Sequence, residues 1–322
     1  MTNVLNVMNA RILLAATLVA TSFGVLPAKA VDPGLLGLVM PDAKALAGVN
    51  VDQAKATPFG LYVLGQIAPQ DQGLQQLATL LNFDPRRDVH ELLVASAAVA
   101  GHTGLFLARG VFDTAKIASA AALAGAKSET YNGVNILENP KQTNGVAFLD
   151  STLVVAGDVA NVKAALDRRS SLSVLPGALS SQVRDWSNSQ DAWVVAIVPP
   201  ALLKMAPGAP QVPGLSGQAA FAAVQQIAGG VKFGPTVTLT AQAQTDTAEN
   251  ATSMAGALQF LANLAQMQAT QNPQAGALLK ALTVSATGVN VNIGLSLPAD
   301  QFEQLAKPRA AGARAGAAKK KM

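Results

Sequence analysis

Cysteine is absent from all 322 residues. That absence excludes disulfides, thiol catalysis, cysteine-based metal sites and a lipid-modified cysteine. Histidine is scarce, with only two copies, His90 and His102. A zinc site would therefore need mostly carboxylates, which zinc uses sparingly. Aromatic residues make up 4% of the chain, a thin supply of the stacking platforms that sugars and single-stranded nucleic acids favour. The net charge is +4, and the excess sits in the tail with Arg309, Arg314, Lys319, Lys320 and Lys321. Without that tail the body is close to neutral, so the pI of 9.4 is no argument for nucleic acid, and no nucleic-acid partner is expected.

Long apolar runs are equally scarce, and the clearest one is N-terminal. Arg11 precedes an apolar run from Ile12 to Leu26, Pro27 breaks it, and Ala28-Lys29-Ala30 offers the small residues a signal peptidase requires. A spanning helix wants about 20 apolar residues, more than this run supplies. Residues 1–30 are thus expected to be a signal peptide cleaved after Ala30, and the protein periplasmic or secreted from a bacterium. Met8 would make a more ordinary start than Met1, because the stretch before Arg11 is uncharged and long. Downstream, the richest candidate span, Leu92 to Ala108, is interrupted by Ser96, Gly101, His102, Thr103 and Gly104, and the mature chain reads as soluble. It is long enough for two domains of about 100–200 residues.

What is present is patterned. Thr236 to Gln244 alternates Val237, Leu239, Ala241 and Ala243 with threonines and glutamines. Val289 to Leu297 alternates in the same way, with Asn290, Asn292, Gly294 and Ser296 on its polar side. Leu282–Ala286 precedes it across Thr287-Gly288, a hairpin signature. Such strands belong to an antiparallel sheet with one face covered. Helices are expected after Asp113, after Asp158, and after Asp246 with Glu249 three residues on, each aspartate serving as the cap. Pro298 opens a last helix carrying Phe302 and Leu305.

The order of elements recurs. A strand at 46–51 leads to helices at 54–67 and 73–82, strands at 90–97 and 104–109, and the helix opened by Asp113. Likewise a strand at 192–198 leads to helices at 200–206 and 216–228, a strand region at 231–244, and the helix opened by Asp246. The first half closes with strands at 130–138, 145–149 and 152–156 and a helix at 158–169. The second closes with strands at 282–286 and 289–297 and a helix at 299–307. The expected fold class is α+β: two related units, 31–174 and 175–307, each an antiparallel sheet with helices packed on one face. Residues 308–322 read as a disordered basic tail, open to weak contact with anionic surfaces.

Residues 83–169 carry a run of shared features. Phe83-Asp84-Pro85-Arg86-Arg87-Asp88 stands before a strand, and Arg109-Gly110-Val111-Phe112-Asp113 follows. Then come Tyr131-Asn132-Gly133-Val134, Ala147-Phe148-Leu149-Asp150, and Val154-Val155-Ala156-Gly157-Asp158 before a helix ending in Asp167-Arg168-Arg169. In this run the chain resembles a group of exported bacterial proteins catalogued only as a domain of unknown function. The resemblance implies an α+β repeat protein of the periplasm or cell surface, and it carries over no catalytic residue.

Catalytic patterns are missing. His90-Glu91 is not followed by a second histidine at position 94, which is Val94, and Gly214-Leu215-Ser216-Gly217-Gln218 fails the serine-elbow pattern at its last position. No phosphate-binding glycine loop is present. The densest charged cluster is Asp84 to Asp88. Arg86 and Arg87 either present a small anion site or pair with Asp84 and Asp88 in a turn. The expectation is a non-enzymatic binding or interaction protein without a cofactor. Its partner is a protein or an apolar small molecule, with the polar Thr/Gln/Asn strand faces as the suspected surface. A carrier of a lipid or other apolar ligand is the alternative, and a hydrolase with a dispersed Asp/Ser site the third.

Overall fold

A computed structural model describes residues 31–67, 83–98, 104–139, 143–169, 175, 177–198, 221–268 and 273–306. The expected signal peptide, the helices at 73–82 and 200–206, His102, Ser216 and the basic tail lie outside the described residues. In chain order the first half carries α1 (Pro33–Leu36), β1 (Ala45–Asn50), α2 (Val51–Lys55), α3 (Pro58–Ile67), α4 (Pro85–Asp88), β2 (Val89–Ser96), β3 (Gly104–Gly110) and α5 (Thr114–Leu123). It continues with β4 (Lys127–Tyr131), β5 (Val134–Glu138), β6 (Asn144–Phe148), β7 (Leu153–Asp158) and α6 (Val159–Arg168). The second half carries α7 (Gly177–Ser189), β8 (Ala192–Ile197), β9 (Val224–Lys232), β10 (Thr236–Thr245), α8 (Ala248–Gln268), α9 (Pro273–Ala281), β11 (Leu282–Thr287), β12 (Asn290–Pro298) and α10 (Ala299–Ala306).

All the strands join one 12-stranded sheet in the order β11-β12-β10-β9-β8-β1-β2-β3-β7-β6-β5-β4. Every neighbouring pair is antiparallel. The fold class is therefore α+β on a large antiparallel sheet. Rather than each half closing its own sheet, β1 pairs with β8 from Ala45–Ala196 to Val49–Ala192, and the two halves share one.

Side chains alternate across this sheet. One face carries Leu46, Leu93, Leu105, Leu107, Ile136, Val155, Trp193 and Val195, packed against α6, α7 and residues 31–43. The other carries Val49, Leu92, Ala108, Phe148, Val154, Val231 and Val237, beneath α2, α3, α5 and α10. Farther along that second face Ala243 and Val291 lie under Ala251, Met254 and Ala255 of α8. Among the described residues the β10–β12 end carries helices on its second face. In the first half helices lie on both faces, because strands such as β2 and β3 are apolar on both sides.

Residues 31–43 act as core rather than as a leading arm. Val31, Leu35, Leu38 and Val39 are buried, each such side chain contributing about 1.5–3 kcal/mol. Three polar clamps hold the segment: Glu91 accepts the Asp32 N–H at 3.1 Å, Arg109 Nε donates to Asp32 at 3.0 Å, and Arg168 Nη2 donates to the Leu38 carbonyl at 2.9 Å.

Several local expectations change. The single strand expected at 130–138 is a hairpin, turned by Asn132 (φ 49°) and Gly133 (φ 77°), the positive-φ pair of a type I′ turn. Where a helix was expected over 216–228, β9 begins at Val224. Ala228 faces one core and Val231 the other, and a strand buried on both sides loses the alternation that would mark it. Asp113 caps α5 by accepting the Lys116 N–H at 3.1 Å. Asp158 precedes α6 without a capping bond and instead accepts from Thr143 at 3.1 Å. Thr247, not Asp246, caps α8, accepting the Asn250 N–H at 3.2 Å.

Candidate functional site

The polar strand faces of the sequence stand beside α7, a helix that the sequence pattern does not announce. Leu179, Val183 and Trp186 recur at i, i+4 and i+7 and set one face of α7 onto the sheet beside Trp193 and Val195. The serines, glutamines and charges between them hid that periodicity. The α7 helix lies along β8 and β9, and among the described residues no helix covers the adjoining face of β10 and β12.

The floor beside α7 runs in register from Trp193 into small residues: Trp193 opposite Gly230, Gly230 opposite Thr240, Thr240 opposite Gly294. Glycine at 230 lets the helix sink onto the sheet, since a Cβ there would meet Gln190 Cβ at 2.8 Å and Trp186 Cε3 at 2.9 Å. The result, among the described residues, is an open, shallow cleft of about 480 Å³. Gln182, Asp185, Trp186 and Gln190 form one wall, and Thr240, Gln242, Asn290 and Asn292 the other.

Hydrogen bonds order both walls. Trp186 Nε1 donates to Gln182 Oε1 at 2.9 Å, and Gln242 Nε2 donates across the strands to Asn292 Oδ1 at 2.9 Å. Among the described residues three buried oxygens have no partner: Gln190 Oε1, Thr240 Oγ1 and Asn290 Oδ1. All three residues line the cleft. Leaving such a group unsatisfied costs about 1–3 kcal/mol. Among the described residues Asp185 is the one ionisable side chain of the lining, and no lysine or arginine contributes.

The remaining candidates lie elsewhere. Arg86 grips Asp84 in a two-pronged pair at 3.0 and 2.9 Å, and Arg87 grips Asp88 at 2.6 and 2.8 Å. The hydrogen bond from Arg86 holds the Asp84 carboxyl below the usual carboxylate range, and that from Arg87 does the same for Asp88. Both guanidinium groups thus spend bonds within the turn. His90 lies with Nδ1 3.0 Å from the Asp52 carboxylate, on an exposed edge. Among the described residues no three His, Asp or Glu side chains converge as a metal would require.

The sequence matches no protein-family model and no curated protein. Among solved structures the chain is similar to crystal form III of TP0453, with a TM-score of 0.53 at 10% identity, covering 87% of this chain and 97% of that one. It is similar also to crystal form IV of TP0453, with a TM-score of 0.50 at 11% identity, covering 88% and 96%. At such identities the likeness concerns the fold alone.

Proposed function

We propose that the chain is an exported, non-enzymatic binding protein of the bacterial periplasm or cell exterior, released by cleavage after Ala30, whose binding surface is the polar cleft. One observation carries the reading: among the described residues the amides and hydroxyls of Gln182, Gln190, Thr240, Gln242, Asn290 and Asn292 line a single open cleft. The cleft holds one carboxylate, Asp185, instead of the facing pair a hydrolytic site would use. The address rests on the N-terminal signal pattern and on the resemblance to exported proteins.

The two-unit organisation belongs to the same proposal. Connectivity supports it: β1-β2-β3 followed by a helix, then β6 and β7, matches β8-β9-β10 followed by a helix, then β11 and β12. Both sets are laid out in the sheet as first-second-third-fifth-fourth, outward from the β1–β8 seam. The β4–β5 hairpin is then an insertion of the first unit.

A second reading, the carrier of a lipid or other apolar ligand, draws on Phe260, Leu264 and Met267, which stand exposed along α8. Native mass spectrometry of residues 31–322, exported in the protein's own host and purified without detergent, separates the two. A polar small-molecule adduct that disappears in Thr240→Val supports the cleft. A lipid adduct indifferent to that substitution replaces the reading with the carrier, and a clean apo mass removes the small-molecule site.

A further inference from the structure

We infer that the free edge of β11 is a self-association surface, on which a second copy of this chain adds its own β11 antiparallel and joins the two sheets into one. Among the described residues none of β11 lines the cleft, so this surface is a second one, and its position draws on the two-unit organisation proposed above. In that organisation β11 of the second unit corresponds to β6 of the first, each the fourth strand of its unit. The outer side of β6 is taken by β5, antiparallel from Ile136–Ala147 to Glu138–Gly145. The outer side of β11 meets no strand among the described residues. One unit thus fills the position with an inserted hairpin, and the other leaves it open.

The residues of β11 select the occupant. Leu282 to Thr287 carries no charge and no proline, so its backbone can donate and accept along the edge, and two copies of it do not repel. Residues directly opposite in an antiparallel pair project to the same face of the sheet. A two-fold axis perpendicular to the sheet at Ser285 therefore sets Ser285 against its own mate, Thr283 against Thr287 and Val284 against Ala286. Hydroxyls meet hydroxyls on the open face. Small apolar side chains meet on the other, where Val284 already packs beneath α8.

The α8 helix extends the surface. It packs mainly over β11, and Gln259 reaches the edge strand to donate to the Val284 carbonyl at 2.8 Å. The side of α8 that Gln259 marks also carries Gly256, Asn263 and Met267, at i−3, i+4 and i+8. All three are exposed, Met267 by 70%, and a Cβ on Gly256 would meet nothing within 4 Å. Two copies joined at β11 bring their α8 helices alongside each other above the seam. There Gly256 allows close approach and Met267 is covered. A six-residue edge with one helix beside it is a small interface. The dimer is therefore expected to be reversible, with a dissociation constant between about 1 μM and 1 mM.

The experiment follows residues 31–322 by sedimentation velocity across that concentration range. A monomer–dimer equilibrium is expected, and Ser285→Lys should stay monomeric throughout, because it sets two like charges face to face across the axis. Ser285 is exposed, and an unchanged unfolding midpoint in dilute solution verifies that the variant folds. The chain has no cysteine, so Ser285→Cys introduces a single thiol. A short bismaleimide should link it into a dimer at least about tenfold faster than it links Ser128→Cys, on the exposed β4 edge. Monomer at every concentration overturns the inference. So does a dimer that persists in Ser285→Lys, since the contact then lies elsewhere, and so does growth into open-ended chains, which two-fold pairing cannot produce. Equal linking of the two cysteine variants means random collision and overturns it as well. None of these outcomes bears on the cleft, which stands or falls with the adduct in native mass spectrometry.

Discussion

Gly48 stands in β1 directly opposite Trp193 of β8, at the seam where the two halves of the sheet meet. A Cβ on residue 48 would come within 2.6 Å of Trp193 Cε2, so the indole lies across the glycine and covers backbone that would otherwise be bare. Gly48→Ala forces the ring off this position inside a packed core and should cost roughly 1–3 kcal/mol of stability. Gly256, exposed in the middle of α8 with open space where a Cβ would go, is the counter-case. Gly256→Ala should stabilise by about 0.5–1 kcal/mol, because alanine loses less backbone freedom on entering a helix. Urea unfolding of both variants checks the pair, and equal effects would mean that the seam yields more easily than its geometry implies.

At the scale of elements, helix starts separate what a pattern can announce from what only packing decides. Asp246 and Thr247 both stand before α8, and both residue types cap helices. The chain enters the helix one residue later than the aspartate suggested, so Thr247 receives the Asn250 N–H while the Asp246 carboxylate turns to the Asn250 side chain at 2.8 Å. Thr247→Ala should therefore cost about 1 kcal/mol, and Asp246→Ala should stay within about 0.5 kcal/mol, as thermal unfolding would show. The same distinction governs the rest of the fold. Strands with one wet face, such as β10 and β12, were legible because core residues such as Val237 and Ala243 alternate with cleft residues such as Thr240 and Gln242. The double-sided β9 and the serine-rich α7 were not, since burial on two faces erases a period of two and small polar residues mask a period of 3.6. Half of the candidate site, Thr240, Gln242, Asn290 and Asn292, was thus readable as polar strand faces. The other half waited on α7, whose signal was Leu179, Val183 and Trp186 at helical spacing.

For the whole molecule, two properties follow from how the sheet is held and where it ends. The first is acid sensitivity. Burial alone would raise the Asp32 carboxyl, but hydrogen bonds from Arg109 and the Gly34 N–H outweigh it and hold the group below its ordinary 3.8. Asp52 is likewise lowered, by His90 and Lys55 against its burial. A carboxyl depressed by folding contributes stability that is complete above the ordinary value and is lost as pH falls through the lower folded value. Urea midpoints should therefore fall from about pH 4 toward pH 2, and Asp32→Asn should flatten that fall while lowering the neutral-pH midpoint, because it loosens residues 31–43. The second property concerns the edges. At one end β4 carries Lys127 and Glu129, charges that deter strand addition. At the other, β11 reads Leu-Thr-Val-Ser-Ala-Thr without a charge. Gln259 of α8 covers one of its carbonyls, donating to Val284 O at 2.8 Å. Unpaired backbone on an uncharged edge is a template for another chain. Heating should therefore drive aggregation from the β11 end more than from β4. Ser285→Lys, placing a charge in the middle of that strand, should raise the temperature at which light scattering appears while leaving the unfolding midpoint nearly unchanged. Gln259→Ala, uncovering the carbonyl, should lower it. Aggregation indifferent to both substitutions but suppressed by a change in β4 would assign the weak edge to the opposite end of the sheet.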